Sequence, residues 1–317
     1  MYQIGVDIGG TNIKLGLVDE ELSLAARTSV PFPHAGADAA ADVIRTAADD
    51  VLRQVGASDK DVQSVGIILP GSLDAECRTV LDAYNLDFHN VPFRDLIERR
   101  FPGMPVYMAN DADGAALAEL YCGALRGCKT GVLITLGTGL GGGTILNGRL
   151  FTGGMHHGSE LGHIYLVEGG EACTCGNQGC AEAYCSASAL AREGARAMQA
   201  RPDSLLAEKS GGRVEAVDAK LVVDCARAGD ETAKNVFSAY LRHLASACAS
   251  IFNLLDPEVL AIGGGLSGAG DLLFAPLQEL VNERCFYHAA HGALVPAQLG
   301  NDAGMIGAAM LHRNAQA

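Results

Sequence analysis

The sequence predicts an α/β fold made of two similar halves, and three observations predict it. Apolar runs of strand length alternate with longer stretches of helical periodicity along the chain. A strand, a glycine–threonine turn and a second strand occur at the start, in "YQIGVDIGGTNIKLGLVD", and again in "GVLITLGTGLGGGTILNG". The 317 residues, 49% hydrophobic and 19% charged, suit two domains with sizeable cores and argue against disorder. A strand–turn–strand unit repeated in this way points to two α/β halves facing a cleft. The expected division puts residues 1–110 and a C-terminal helix at about 301–317 in one domain, and residues 111–300 in a larger one.

Taken in order, "YQIGVDIG", "IKLGLVD" and "LSLAARTSVPF" read as three strands of a meander, the first two joined at Gly9-Gly10-Thr11-Asn12. From Asp38 to Val55 the periodicity is helical, with Val43, Ala47, Val51 and Val55 on one face. "VQSVGIILPGSLD" is a continuous apolar strand that breaks at Pro70-Gly71. A helix at Phe93–Arg100 leads into a strand at Pro105–Asn110, and Asp111 opens an alanine-rich helix. One long helical region covers roughly Lys220–Leu255, "PEVLAIGGGLSG" is a strand entering a glycine turn, and "DAGMIGAAMLHR" is the closing helix. No low-complexity linker separates the halves.

The formal net charge of −14 argues against a nucleic-acid partner, which needs a basic face to neutralise phosphates. A small anion remains possible, held locally by backbone N–H groups, a lysine and Mg²⁺. "MYQIGVDIGG" has no basic stretch ahead of an apolar run, and no segment has the ~18 apolar residues of a membrane span. The expectation is a cytoplasmic protein whose ten cysteines are thiols or metal ligands.

Three glycine turns follow apolar strands. In Asp7-x-Gly9-Gly10-Thr11-Asn12-x-Lys14, glycines let backbone N–H groups approach phosphate oxygens, Thr11 adds a hydroxyl and Lys14 can approach a transferred phosphoryl group. Asp7, at the strand end, is placed to orient Mg²⁺ or its water shell. Gly137-Thr138-Gly139 is a second such turn, and Gly264-Gly265 a third that lets an adenine or ribose lie against backbone. Singly each could be a packing glycine; the conjunction points to a nucleotide. Asn110-Asp111 ends a strand. Asp111 suits either the N-cap of the next helix or a general base for phosphoryl transfer to an alcohol.

Cys173-x-Cys175-Gly176-x-x-Gly179-Cys180 is the sharpest local signal. Zn²⁺ takes tetrahedral thiolate and imidazole ligands, and two glycines let a tight loop turn three sulfurs inward. His163 is the natural fourth ligand, with His156 and His157 as competitors, and four protein ligands make a closed, structural site. Buried reduced thiols are the bland alternative, and the spacing is not the C-x-x-C of redox sites.

Together, Asp7-x-Gly-Gly-Thr, Leu136-Gly-Thr-Gly, Glu160-Leu-Gly-His163, Cys173-x-Cys-Gly-x-x-Gly-Cys180-x-Glu182 and Gly263-Gly-Gly resemble the ROK family of repressors and sugar kinases, from about Ile4 to Ala309. Within it the chain looks most like the ATP-dependent bacterial glucokinases. The resemblance implies the actin-like/hexokinase ATPase fold (ribonuclease H-like), with two α/β domains closing over sugar and MgATP. It implies that Asp111 takes the proton of a hexose 6-hydroxyl, glucose foremost, and that Asn85, Asn110, Glu160, His163 and Glu182 hold the other hydroxyls. His163 would ligate zinc through one ring nitrogen and meet the sugar with the other. A homodimer or homotetramer is implied too.

Where family members often read Asn-Asp-Ala-Asn, this chain has Asp113 last, and for Asn-Leu-Gly-Trp it has Asn85-Leu-Asp-Phe. Kinases of N-acetylmannosamine, N-acetylglucosamine, allose or fructose are the alternatives within the family. A repressor would need a helix-turn-helix of ~60–80 residues ahead of a strand that begins at about Tyr2, and a free-standing zinc module does not suit a mid-chain loop. Glu160 and Glu182 bracket the cysteines, so the metal loop is expected to stiffen a sugar-binding wall. Metal loss should therefore harm sugar recognition and stability more than nucleotide affinity.

Overall fold

The three N-terminal strands form as the alternation requires: β1 (Tyr2–Ile8) pairs antiparallel with β2 (Asn12–Val18), and β2 with β3 (Leu24–Pro31). The computed structural model describes residues 1–154, 157–288 and 291–315. Helix α1 (Ala37–Gln54) buries Ala40, Ala41, Ile44, Ala47, Ala48, Val51 and Leu52. Val43 and Val55, expected on that face, are only partly buried, because alanines flanking Ile44 let the helix sit closer on that side. The chain continues through β4 (Val62–Leu69) into β5 (Ser72–Leu73), β6 (Val80–Ala83) and β7 (Phe88–Val91), a small antiparallel sheet. Strands this short carry too few alternations to be read from sequence. Then come α2 (Phe93–Arg100), β8 (Val106–Asn110) and α3 (Asp111–Cys122).

The second sheet starts with β9 (Gly131–Leu136), β10 (Leu140–Leu146) and β11 (Arg149–Phe151). Helices α4 (Glu182–Cys185), α5 (Ala187–Ala200), α6 (Leu205–Ser210), α7 (Ala219–Arg227) and α8 (Glu231–Leu255) follow. The long helical region expected over 220–255 is thus two helices. Gly229, at φ +96°, breaks it, and the Asp230 side chain caps α8 by accepting from the Thr232 N–H. The chain closes with β12 (Val259–Gly263), α9 (Asp271–Arg284), β13 (Ala293–Pro296) and α10 (Ala303–Ala315).

The duplication seen in the sequence recurs in the strand orders. One sheet runs β3-β2-β1-β4-β8, the other β11-β10-β9-β12-β13. In the first, β1, β4 and β8 are parallel; in the second, β9, β12 and β13 are.

The chain divides into two compact units, Met1–Lys129 with Gly143–Ser159 and Leu299–Ala317, and Thr130–Gly142 with Glu160–Gln298. Each has its own core: Ile4, Val6, Ile44, Ile67, Phe88 and Phe93 in the first, Ile134, Leu190, Leu244, Ile262 and Leu277 in the second. The C-terminal helix lies in the first unit. Helix α3 belongs there too, whereas the sequence reading ended that domain at residue 110. The reason is backbone-to-backbone packing of α10 on α3: a Cβ on Gly307 would lie 1.8 Å from the Gly114 carbonyl oxygen. On its other side α10 lies against the sheet, where a Cβ on Gly5 would lie 1.9 Å from Met305 O and one on Gly66 1.8 Å from Ala308 O.

Gly66→Ala should therefore lower unfolding stability by about 1–3 kcal/mol, the usual scale of overpacking a core. Chemical denaturation checks this; an unshifted midpoint would mean that α10 does not need the glycine.

Candidate active site

In the first unit, parallel register brings the expected residues to one edge. Asp7 on β1 pairs with Ile68 on β4, and Ile68 with Ala109 on β8, so Asp7 and Asn110-Asp111 reach the same edge of the sheet on either side of β4, at the C-terminal ends of parallel strands. Ligands collect at that edge in open α/β sheets. The β1–β2 turn is closed by the Gly9 N–H donating to Asn12 O at 2.9 Å, with Thr11 and Asn12 exposed. Gly10 is fixed by its neighbour, since a Cβ there would lie 3.2 Å from Asn85 O. The same packing puts exposed Asn85 beside the turn.

The segment holding Asn85 explains one sequence departure. Asp87, standing where the family pattern has glycine, adopts a left-handed conformation at φ 55°, which aspartate tolerates better than most residues. Phe88, standing for the tryptophan, is buried against Phe93 and Phe32 and anchors the segment.

Asp7 and Lys14 form an ion pair across the hairpin, Nζ to Oδ2 3.5 Å. Burial pushes the Asp7 carboxyl above the ordinary carboxylate range, and Lys14 pulls it part of the way back. Gly304, in the first turn of α10, is demanded here, because a Cβ would lie 2.6 Å from Asp7 Oδ2.

The structure shows how α3 begins at Asn110-Asp111. Asn110 is the N-cap: its Oδ1 accepts from the Ala112 N–H at 2.9 Å, while its Nδ2 donates to Gly71 O at 3.0 Å. Asp111 is the first residue of α3 and is exposed, with Oδ1 2.8 Å from the same Ala112 N–H.

In the second unit, Thr135 on β9 pairs with Gly263 on β12, so the Gly137-Thr138-Gly139 and Gly264-Gly265 turns leave neighbouring parallel strands together. Gly264, at φ +81°, could not carry a side chain, because a Cβ would lie 2.4 Å from Leu136 O. The two turns open on a cavity of about 800 Å³ whose lining includes Gly137, Thr138, Gly265, Asp218, Lys220 and Arg227. A volume of several hundred Å³ suits a nucleotide-sized ligand. The helical part of this lining was missed in the sequence, since α5 and α7 carry no motif and meet the turns only through the fold. Arg227 is oriented by Ala269 O at 3.1 Å and Asp224 Oδ1 at 3.3 Å.

The Glu160-Leu-Gly-His163 turn packs on β10, and Gly162 is required because a Cβ would lie 2.1 Å from Leu140 O. Glu160 is exposed and its carbonyl accepts the His163 N–H at 3.0 Å. His163 and Cys173, Cys175 and Cys180 offer ligand atoms all within 4.8 Å of one another. His163 Nδ1 lies 3.6 Å from Cys173 Sγ, and Cys175 Sγ lies 3.7 Å from Cys180 Sγ. Tetrahedral zinc with ordinary bond lengths separates its ligand atoms by about 3.5–3.8 Å, which these two separations match, and the donor set suits such an ion.

The two glycines have the role read from the sequence. Gly176 (φ 89°) and Gly179 (φ 83°) turn the loop, and a Cβ on Gly179 would lie 1.8 Å from Val167 O. Burial and the adjoining thiols push Cys180 up to about 12, whereas the Asn177 N–H draws Cys175 below its ordinary value. Nδ1 of His163 faces the thiols, so Nε2 is the nitrogen left to face a ligand. His157 is not in the cluster found among the described residues, and His156 lies outside them.

Glu182 joins two of these features. Its Oε2 accepts the Leu140 N–H at 3.0 Å and its Oε1 the Thr174 hydroxyl at 2.6 Å.

Comparison with known proteins agrees with this geometry. The sequence profile of the ROK family matches residues 3–315. A glucokinase of Thermotoga maritima is 38% identical over 311 residues, covering 97% of this chain and 96% of that protein. The structure of a ROK family glucokinase from Streptomyces griseus in complex with glucose and AMPPNP superposes with a TM-score of 0.81 at 37% identity, over 98% of this chain and 99% of that one. A ROK hexokinase from Thermus thermophilus gives 0.86 at 32% identity, over 100% and 99%.

Metal analysis of the purified chain should find one zinc per chain. Cys180→Ser should lose it and lower the melting temperature by on the order of 5 °C. Full metal content in that variant would remove Cys180 from the ligand set.

Proposed function

The chain belongs to the ROK family, and from that premise we propose that it transfers the γ-phosphoryl group of ATP to the 6-hydroxyl of glucose. It is an ATP-dependent sugar kinase. The observation that carries the residue assignment is the edge of the first sheet, where Asp7, the Gly9-Gly10-Thr11 turn, Asn85 and Asn110-Asp111 converge.

Asp111 is the general base. Its carboxylate accepts the proton of the 6-hydroxyl as that oxygen bonds to the γ-phosphorus and the bond to the ADP oxygen breaks. Asn110 caps the helix and so sets where that carboxylate points. Asn85, Asn110, Glu160, His163 and Glu182 hold the remaining hydroxyls. Gly9, Gly10, Thr11, Asn12 and Lys14 serve the transferred phosphoryl group. Gly137, Thr138, Gly139, Gly264 and Gly265 serve the rest of the nucleotide, a role supported by the cavity they open on. Mg²⁺ bound with the nucleotide supplies charge neutralisation at the phosphates, and Asp7 is the carboxylate placed to hold it or its water.

Zn²⁺ on His163, Cys173, Cys175 and Cys180 is structural, since four protein ligands close its coordination. The donor set and its spacing support this reading. No helix among the described residues is long and apolar enough to cross a membrane, and a reducing, cytoplasmic setting suits the thiol cluster. A homodimer or homotetramer is supported by an exposed apolar cluster. Leu254 is 82%, Phe286 75% and Tyr287 73% exposed, with the Phe286 N–H tied to Asn253 Oδ1 at 2.9 Å. Light scattering of the full chain settles this, and a monomer at micromolar concentration refutes it.

The decisive test is Asp111→Asn in a coupled assay of hexose-dependent ADP release. Loss of a positioned base should lower kcat by about 10²–10⁴-fold with little change in glucose affinity. Near-wild-type turnover would sink the assignment of the base. The same assay run with a panel of hexoses and N-acetylhexosamines tests glucose; a higher kcat/KM for another sugar would replace it.

A further inference from the structure

The metal loop and the phosphate turn of the second unit are joined through one side chain. Thr174 lies between two of the metal-site cysteines, and its hydroxyl donates to Glu182 Oε1 at 2.6 Å. On the other side Glu182 Oε2 accepts the Leu140 N–H at 3.0 Å, at the end of the turn that holds Gly137, Thr138 and Gly139. The carboxylate is pressed against that turn, since a Cβ on Gly139 would come within 2.4 Å of Oε2. A few residues further along, the Ala187 N–H donates to Gly137 O at 2.8 Å, and the Gly137 N–H to Gly139 O at 3.0 Å. Cys180, Glu182 and Ala187 thus lie on one short run of chain, with the metal site at one end and the turn at the other.

We propose that Glu182 is a positioning residue that links the metal loop to the phosphate turn, so that metal occupancy sets nucleotide affinity as well as stabilising the fold. This rests on the kinase reading above and goes beyond the sugar contact assigned to Glu182 there. A carboxylate accepting a backbone N–H makes a charge-assisted bond, roughly twice as strong as a neutral one, and it fixes the direction of the N–H it holds. Its other oxygen is held by a hydroxyl whose place depends on the cysteines flanking it. When those cysteines lose their common ligand the hydroxyl is no longer fixed, and the carboxylate loses one of its two anchors. The backbone of Gly137–Leu140 then samples more conformations, and a phosphate must order it on binding. The sequence alone suggested that metal loss would be felt at the sugar; Glu182 extends it to the nucleotide.

The test measures AMPPNP affinity by titration calorimetry for metal-loaded and chelator-stripped protein, wild type and Thr174→Val. Stripping should weaken AMPPNP binding by about tenfold in the wild type, the scale of one hydrogen bond to a charged group. In Thr174→Val, which keeps only the longer contact of the Cys173 thiol to the same oxygen at 3.7 Å, stripping should weaken binding by less than about threefold. Equal loss in both proteins, or no loss in the wild type, would overturn the link while leaving the kinase reading intact. Absence of AMPPNP binding by the metal-loaded wild type would overturn both. If stripping unfolds the chain, the metal-loaded proteins decide. Thr174→Val should bind AMPPNP about tenfold more weakly with full zinc content and an unshifted melting temperature. Unchanged AMPPNP affinity in that variant would refute the proposal.

Discussion

The parallel register of β1, β4 and β8 is the constraint on which the candidate site depends. Because Asp7, Ile68 and Ala109 stand in line, whatever follows each strand is delivered to the same edge. The first strand supplies a turn of bare backbone, and the third a cap and an exposed carboxylate. The second sheet repeats the arrangement with β9 and β12, and here both strands end in glycine turns. One half of the duplication presents carboxylates and amides at its strand ends; the other presents backbone and a cavity. The same strand order therefore serves two different chemistries, because chemistry is set by the few residues after each strand and the fold only by the strands.

Register alone would not bring these groups close enough. Gly5, Gly66 and Gly307 let α10 sit directly on the sheet and on α3, and Gly304 then admits the Asp7 carboxylate beside the first turn of that helix. A helix from the far end of the sequence thus backs the residue expected to face the metal–nucleotide complex. Such contacts tolerate no added methyl group, and small residues there are a condition of the site's geometry.

Much of this was legible in the sequence, and the reasons differ by element. Long strands and the glycine turns were legible because apolar runs and the glycines that end them are local signals, and the cysteine loop because metal geometry fixes both spacing and residue type. What escaped depended on contacts distant in sequence. The ribbon β5–β7 is too short to show a period, and the break at Gly229 hid inside continuous helical periodicity. The assignment of α3 to the first unit follows from Gly114 meeting Gly307. Asp218, Lys220 and Arg227 reach the cavity only because α7 packs where it does. The sequence offered Asp111 as an N-cap, whereas the cap position falls on Asn110, because where the helix begins is set by backbone geometry.

That cap has an evolutionary consequence. A carboxylate that both starts a helix and performs chemistry cannot drift without losing folding and turnover together. Here the adjacent amide shares the helix start, accepting the same Ala112 N–H and tying it to Gly71, so the cap does not rest on the carboxylate alone. Selection can then change the residue at 111 while the amide still starts the helix. Such a division of labour lets the chemistry of a strand end vary on a constant fold.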